Sequence, residues 1–188
     1  SIYGRQGNRV NENLKITNIQ TPYSLNQEFK LYYTLGDKNI FSIEAQHLDQ
    51  EEDPIGNVIR EYNPFLNLFD FNTNQNGYNV SQNRNVNTQK LEAKFDYYYL
   101  INDQSNINVT FGFTDVKQKY ASNFFQTLDN GSFLNFTDPS YVNDVDFDFN
   151  DTYISLKYRL KTGIFTIDPG LTFHSYKSSN NQYSDYFE

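Results

Sequence analysis

Residues 90–113 read KLEAKFDYYYLINDQSNINVTFGF. Leu91, Ala93, Phe95, Tyr97 and Tyr99 alternate with Lys90, Glu92, Lys94, Asp96 and Tyr98. After a polar turn at 102–106, Ile107, Val109, Phe111 and Phe113 alternate with Asn108, Thr110 and Gly112. Side chains in a strand point alternately to opposite faces, so this is a β-hairpin with one apolar face and one polar face. What covers the apolar face decides the fold.

Two more stretches repeat the pattern. In 21–48, Phe29, Leu31, Tyr33 and Leu35 lead into a Gly-Asp-Lys-Asn turn, and Phe41, Ile43 and Ala45 return from it. In 147–176, Ile154, Leu156, Tyr158 and Leu160 descend, and Phe165, Ile167, Leu171 and Phe173 ascend, with a bulge expected at Pro169 and Gly170. The intervening positions are polar, and charges of both signs on adjacent strands can pair across the sheet. No helical periodicity of useful length occurs. The segments joining the hairpins, about 49–86 and 126–146, are long and rich in Asn, Asp, Gly and aromatics. Structureless connections of that length are uncommon in compact domains and are usually functional.

Composition agrees with one-sided strands. The 188 residues include 16 Tyr and 17 Phe, yet only 37% are hydrophobic and the mean hydropathy is −0.74. Cys is absent, which excludes disulfides and thiolate sites. A net charge of −8 argues against nucleic acid, whose phosphates require clustered Lys and Arg. No apolar run is long enough for a transmembrane helix.

Short turns at one end and long loops at the other describe an up-and-down transmembrane β-barrel with lipid on its apolar face. A soluble β-sandwich, its apolar faces packed together, follows the same alternation. The loop asymmetry and the charged opposite face favour the membrane. Leu91, Phe95, Tyr97, Val109, Phe111, Phe113, Ile154 and Leu156 are then expected to face lipid. Six strands are clear, and up to eight if the N-terminal segment contributes. Closed outer-membrane barrels begin at about eight strands, so a segment of a larger barrel is expected.

The paired strands and the Asn/Tyr/Phe-rich, Cys-free loops resemble the barrel part of TonB-dependent outer-membrane receptors of Bacteroidota-type bacteria. The resemblance implies a location in the bacterial outer membrane and import of a nutrient such as a siderophore, glycan or peptide. It also implies a plug domain and further barrel strands in the parent chain, with TonB and a surface lipoprotein as partners. No cofactor is implied and no enzyme activity is expected. The rival readings are a small complete barrel acting as an adhesin or structural protein, and a secreted β-sandwich that binds glycans.

Candidate chemistry is sparse. His47 and His174 lie in separate strands without metal-binding spacing. Asp144, Asp146 and Asp148 share one side of an extended segment and are weak Ca²⁺ candidates beside the plainer reading of a solvated rim. In the long loops, Tyr62, Phe65, Phe69, Phe71, Tyr78, Phe133 and Phe136 are candidates to stack on a ligand; alternatively they pack the loops on themselves.

Overall fold

The computed structural model describes residues 13–63, 69–136, 138 and 142–183; Phe65 therefore lies outside the described residues. Within them the chain forms a single antiparallel sheet and no helix. In chain order the strands are β1 (Lys15–Ile19), β2 (Tyr23–Leu35), β3 (Asn39–Glu52), β4 (Ile55–Arg60) and β5 (Tyr78–Asn102). They continue as β6 (Ser105–Thr127), β7 (Phe133–Asn135), β8 (Asn143–Thr162), β9 (Phe165–Ile167) and β10 (Gly170–Gln182).

Nine of these ten strands trace six long paths. β1 and β2 form one path, broken at Pro22, and β3 and β4 a second, broken at Pro54, because proline offers no N–H to the ladder. β5, β6 and β8 are the next three. β9 and β10 form the sixth, broken at Asp168–Pro169, where the sequence places a bulge. Each path pairs with the next in chain order, and β7 extends the partnership of β6 beyond the end of β8. The sheet does not close: the β1–β2 and β9–β10 paths are its outer edges. This is the all-β, antiparallel, up-and-down arrangement the alternation predicts.

Three tight turns join the paths at one end. Gly36 and Gly163 take φ of 63° and 56°, the left-handed region where a Cβ is strained, so these turns use glycine. At the other end the strands run further than their patterning suggests. β5 begins at Tyr78 and β3–β4 continue to Arg60, so much of the segment 49–86 is sheet and the connection shrinks to residues 61–77.

Burial is inverted relative to a soluble sheet. On the apolar face Phe29, Phe111, Ile154 and Phe173 are 56%, 50%, 51% and 65% exposed. On the polar face Asp96, Thr110 and Ser155 are buried, at 4%, 7% and 5%. The sheet curls toward its polar side. A single trough of about 290 Å³ there is lined from Glu28 of β2 to Tyr153 of β8, across five neighbouring strands. Gly112 makes room for a side chain of this wall: a Cβ at that position would meet the Tyr153 ring at 2.1 Å. No second layer covers the apolar face, so the described residues are not a sandwich.

Candidate functional site

Three features hold the candidate residues: an apolar belt, a polar wall and a loop ledge at the far end of the strands.

The register assembles the belt. Directly paired residues share a face, so Leu31, Ile43, Phe95, Phe111, Ile154 and Phe173 form one row across six paths. Phe41, Tyr97, Val109, Leu156 and Leu171 form the next row. All eight expected lipid-facing residues lie on this face: Leu91 pairs with His47, and Phe113 with Ala93 and Thr152. Rings stack along it, with Phe41 and Tyr97 at a centroid distance of 5.0 Å.

The belt crosses the hydrogen-bond rows obliquely. Its upper edge lies at Leu25, level with Asp148 of β8 (Gln27 interrupts the run once), and falls to Ile154 and Phe173 on the last two paths. Its lower edge falls from Leu35, level with Tyr158, to Phe165, which pairs with Thr162. The mean descent is about one residue per strand. At about 3.3 Å per residue and about 4.8 Å between strands, this places the strands at about 35° to the belt normal. Leu91–Tyr99 then gives a belt about 22 Å tall.

Above the belt the same face is charged and polar. Asp49, Gln89, Lys117 and Asp148 form one row, and Glu51, Asn87, Lys119 and Asp146 another. Asp144, Asp146 and Asp148 belong here, at alternate positions of β8. Such neighbours stand about 6.6 Å apart along a strand, too far to converge on one ion, and Asp146 instead meets Lys119 at 3.7 Å. Among the described residues no group of three His, Asp or Glu side chains could hold a metal ion.

The polar wall carries cross-strand networks. Lys94 pairs with Asp96 at 2.9 Å, and the Thr110 hydroxyl donates to the same carboxylate. Thr172 donates to Ser155 at 2.9 Å. Arg159 holds Asp168 at 2.7 Å beside the Pro169 break. His174 lies on this wall, its Nδ1 2.9 Å from Asp151 and its ring stacked on Tyr153. His47 sits on the opposite face at the top of the belt, so the two histidines do not form one site.

The ledge holds the buried apolar cluster of the described residues: Phe69, Val80 and Phe136, with Phe71 and Phe124 against it. Phe69 stacks on Phe136 at 4.5 Å, and Phe71 meets Tyr78 edge-on at 5.3 Å. Four of the loop aromatics thus pack together, while Tyr62 and Phe133 remain 55% and 65% exposed. Phe133 lies against Phe125 on the opposite face of the sheet. Gln126 fixes the ledge. It is fully buried, accepts from the Asn72 N–H at 2.9 Å and donates to the Asn72 carbonyl at 3.0 Å. Asp129 accepts from both nitrogens of Asn76. Sequence reasoning missed Gln126, since a lone glutamine in a polar strand carries no periodic signal.

Outside the belt, Asp53 caps the break between β1 and β2. The Thr21 hydroxyl and N–H donate to it at 2.6 and 2.9 Å, which holds the carboxyl below its ordinary value of 3.8.

No protein-family model matches the chain, and no curated protein matches its sequence.

Proposed function

We propose that this chain is a wall segment of a bacterial outer-membrane β-barrel, with its apolar belt against lipid and its polar wall facing a wet lumen. One observation carries the reading: large apolar side chains are exposed in a continuous belt, while the side chains buried at the centre of the sheet, Asp96, Thr110 and Ser155, are polar. In water that arrangement is backwards, because exposed apolar area on this scale loses about 25 cal/mol per Å². In a bilayer it is the expected order.

The oblique course of the belt supports the same reading. Strands of outer-membrane barrels tilt about 35–45° to the membrane normal around an apolar band about 25 Å tall. A tilt of about 35° and a height of about 22 Å fit both. The belt also reaches both edges of the sheet, with Leu25 to Leu35 on one side and Phe165, Ile167, Leu171 and Phe173 on the other. Open ladder edges are not tolerated in lipid, so further strands must pair there.

The finer reading is a TonB-dependent transporter importing a nutrient ligand, with the ledge and the exposed Tyr62 and Phe133 at the outer mouth. It rests on the loop asymmetry and on the resemblance in strand and loop composition. Its test is the purified chain with and without lipid. Flotation with phosphatidylcholine vesicles, with the belt protected from protease, is expected. A monodisperse chain that stays folded in detergent-free buffer and does not float would overturn the proposal.

A further inference from the structure

We propose that the turn-side half of the polar wall holds an oxyanion site, for a ligand carboxylate or phosphate group, built on Tyr98, Asn108 and Lys157. These three are consecutive across β5, β6 and β8: Tyr98 pairs with Asn108 and Asn108 with Lys157. They form the shared wall of two adjoining hollows of about 330 and 300 Å³ on the polar face. The inference rests on that face being open to a lumen, as proposed above.

Two observations point to a ligand there. The first is an orphan donor. Asn108 is 8% exposed, and its buried Nδ2 has no hydrogen-bond acceptor. Its Oδ1 lies 3.2 Å from the Thr110 hydroxyl, whose single proton goes to the charged Asp96. A buried amide donor left unmade costs about 1–3 kcal/mol, which an incoming acceptor would recover.

The second is a surplus cation. The two carboxylates lining these hollows each have their own partner, Asp96 with Lys94 and Asp168 with Arg159. Lys157 has no carboxylate partner among the described residues. It pairs in register with Gly170, which has no side chain, and its stem leans over that glycine. A local excess of one positive charge on a chain of net charge −8 is a specific feature of this wall. Further up the same wall the trough reverses sign, with Glu28, Glu44 and Glu92 facing Lys30 and Lys94. An anion is therefore disfavoured above and attracted below. Nδ2, the ammonium and the Tyr98 hydroxyl supply three donors and no charged acceptor, the set that an oxyanion takes.

The test follows the Asn108 side-chain amide by ¹⁵N NMR in the full chain in detergent micelles, titrated in parallel with acetate, inorganic phosphate and glucose. A saturable shift with acetate or phosphate and none with glucose is expected, and the anion that responds names the group. Lys157→Gln should weaken that response at least tenfold, while Lys161→Gln should leave it unchanged. An absent response overturns the site, as the reversed amide, with Nδ2 on Thr110 and Oδ1 toward Lys157, would give. So does an equal response in Lys157→Gln. Vesicle flotation separates the two readings. A chain that floats without an anion response loses only the site, and one that responds without floating loses the membrane reading.

Discussion

Phe95 and Ile154 lie in the same hydrogen-bond row, yet the tilted belt puts them at different depths, and lysine placed at each will tell the depths apart. On β5 the belt runs from Leu91 to Tyr99, so Phe95 is at its middle. On β8 it runs from Ile154 to Leu160, so Ile154 is at its upper edge and Leu156 is deeper. A lysine at the bilayer midplane of a barrel costs about 2–4 kcal/mol, falling to about 0–1 near the interface. Phe95→Lys should therefore exceed Ile154→Lys by about 2 kcal/mol, roughly thirtyfold in the ratio of assembled to unassembled chain. Alanine at both positions supplies the baseline for lost packing, since Phe95 also meets Phe41 at 6.3 Å. The assay is denaturant-controlled assembly into phospholipid vesicles, followed by circular dichroism and protease protection. Glu92→Lys on the polar wall should cost no more than about 1 kcal/mol, for the half-exposed pair with Lys90 that it gives up. Thr110 would be a poor control, because it is buried against Asp96. Equal costs at Phe95 and Ile154 would refute the tilt. A Phe95→Lys cost no greater than that of Glu92→Lys would refute the lipid assignment itself.

Other outcomes test the wall, the ledge and the cap. Gly112→Ala drives a methyl into the Tyr153 ring and should destabilise the fold by about 1–3 kcal/mol; in a Tyr153→Ala background the loss should largely vanish, read by denaturant midpoints. Gln126→Leu strips the Asn72 N–H and carbonyl of their partners, at about 1–3 kcal/mol for each group left unmade, and should expose residues 69–77 to limited proteolysis while the belt stays protected. Asp53 is held below the ordinary carboxylate value, so its contribution is present above pH 3.8 and fades as pH falls through the folded value. Amide exchange at Thr21 should accelerate over that acid range in the parent chain and be pH-flat, apart from intrinsic exchange, in Asp53→Asn.

The belt was legible in the sequence because a period of two over Leu91–Tyr99 and Ile107–Phe113 leaves those side chains one face to share. The turns were legible from Gly36 and Gly163. What the sequence hid is the upper half of the strands. From Tyr78 to Lys90 the apolar residues of β5 are only Tyr78, Val80 and Val86 among Asn, Gln, Ser, Thr, Arg and Lys, too sparse for alternation to show, while the backbone ladder continues in register from the belt below. The same blindness made 49–86 read as one loop, although Pro54 only interrupts a path that pairs again at Ile55 with Asn83. Lys157 and Asn108 looked like ordinary solvated positions, because a missing partner is a property of three strands together and not of any one.

The two halves of the strands obey different physics. Along the belt, side chains are chosen by what lies outside the sheet, and the enclosed polar wall is left free to vary in charge. Above it, about 13 residues of β5 carry the ladder some 35 Å beyond the belt with no apolar face to hold it. There the stabilising contacts move to the inner side, where Phe69 and Phe136 from two different connections stack and Gln126 clasps Asn72. A rim held only by its ladder would fray at its tip, since exposed backbone hydrogen bonds open readily. The ledge opposes this on the inner side, and β7 sets Phe133 against Phe125 on the other face. The aromatic residues that looked most like ligand contacts in the sequence thus divide by burial. The buried ones hold the ledge in shape, and Tyr62 and Phe133 stay exposed beside it.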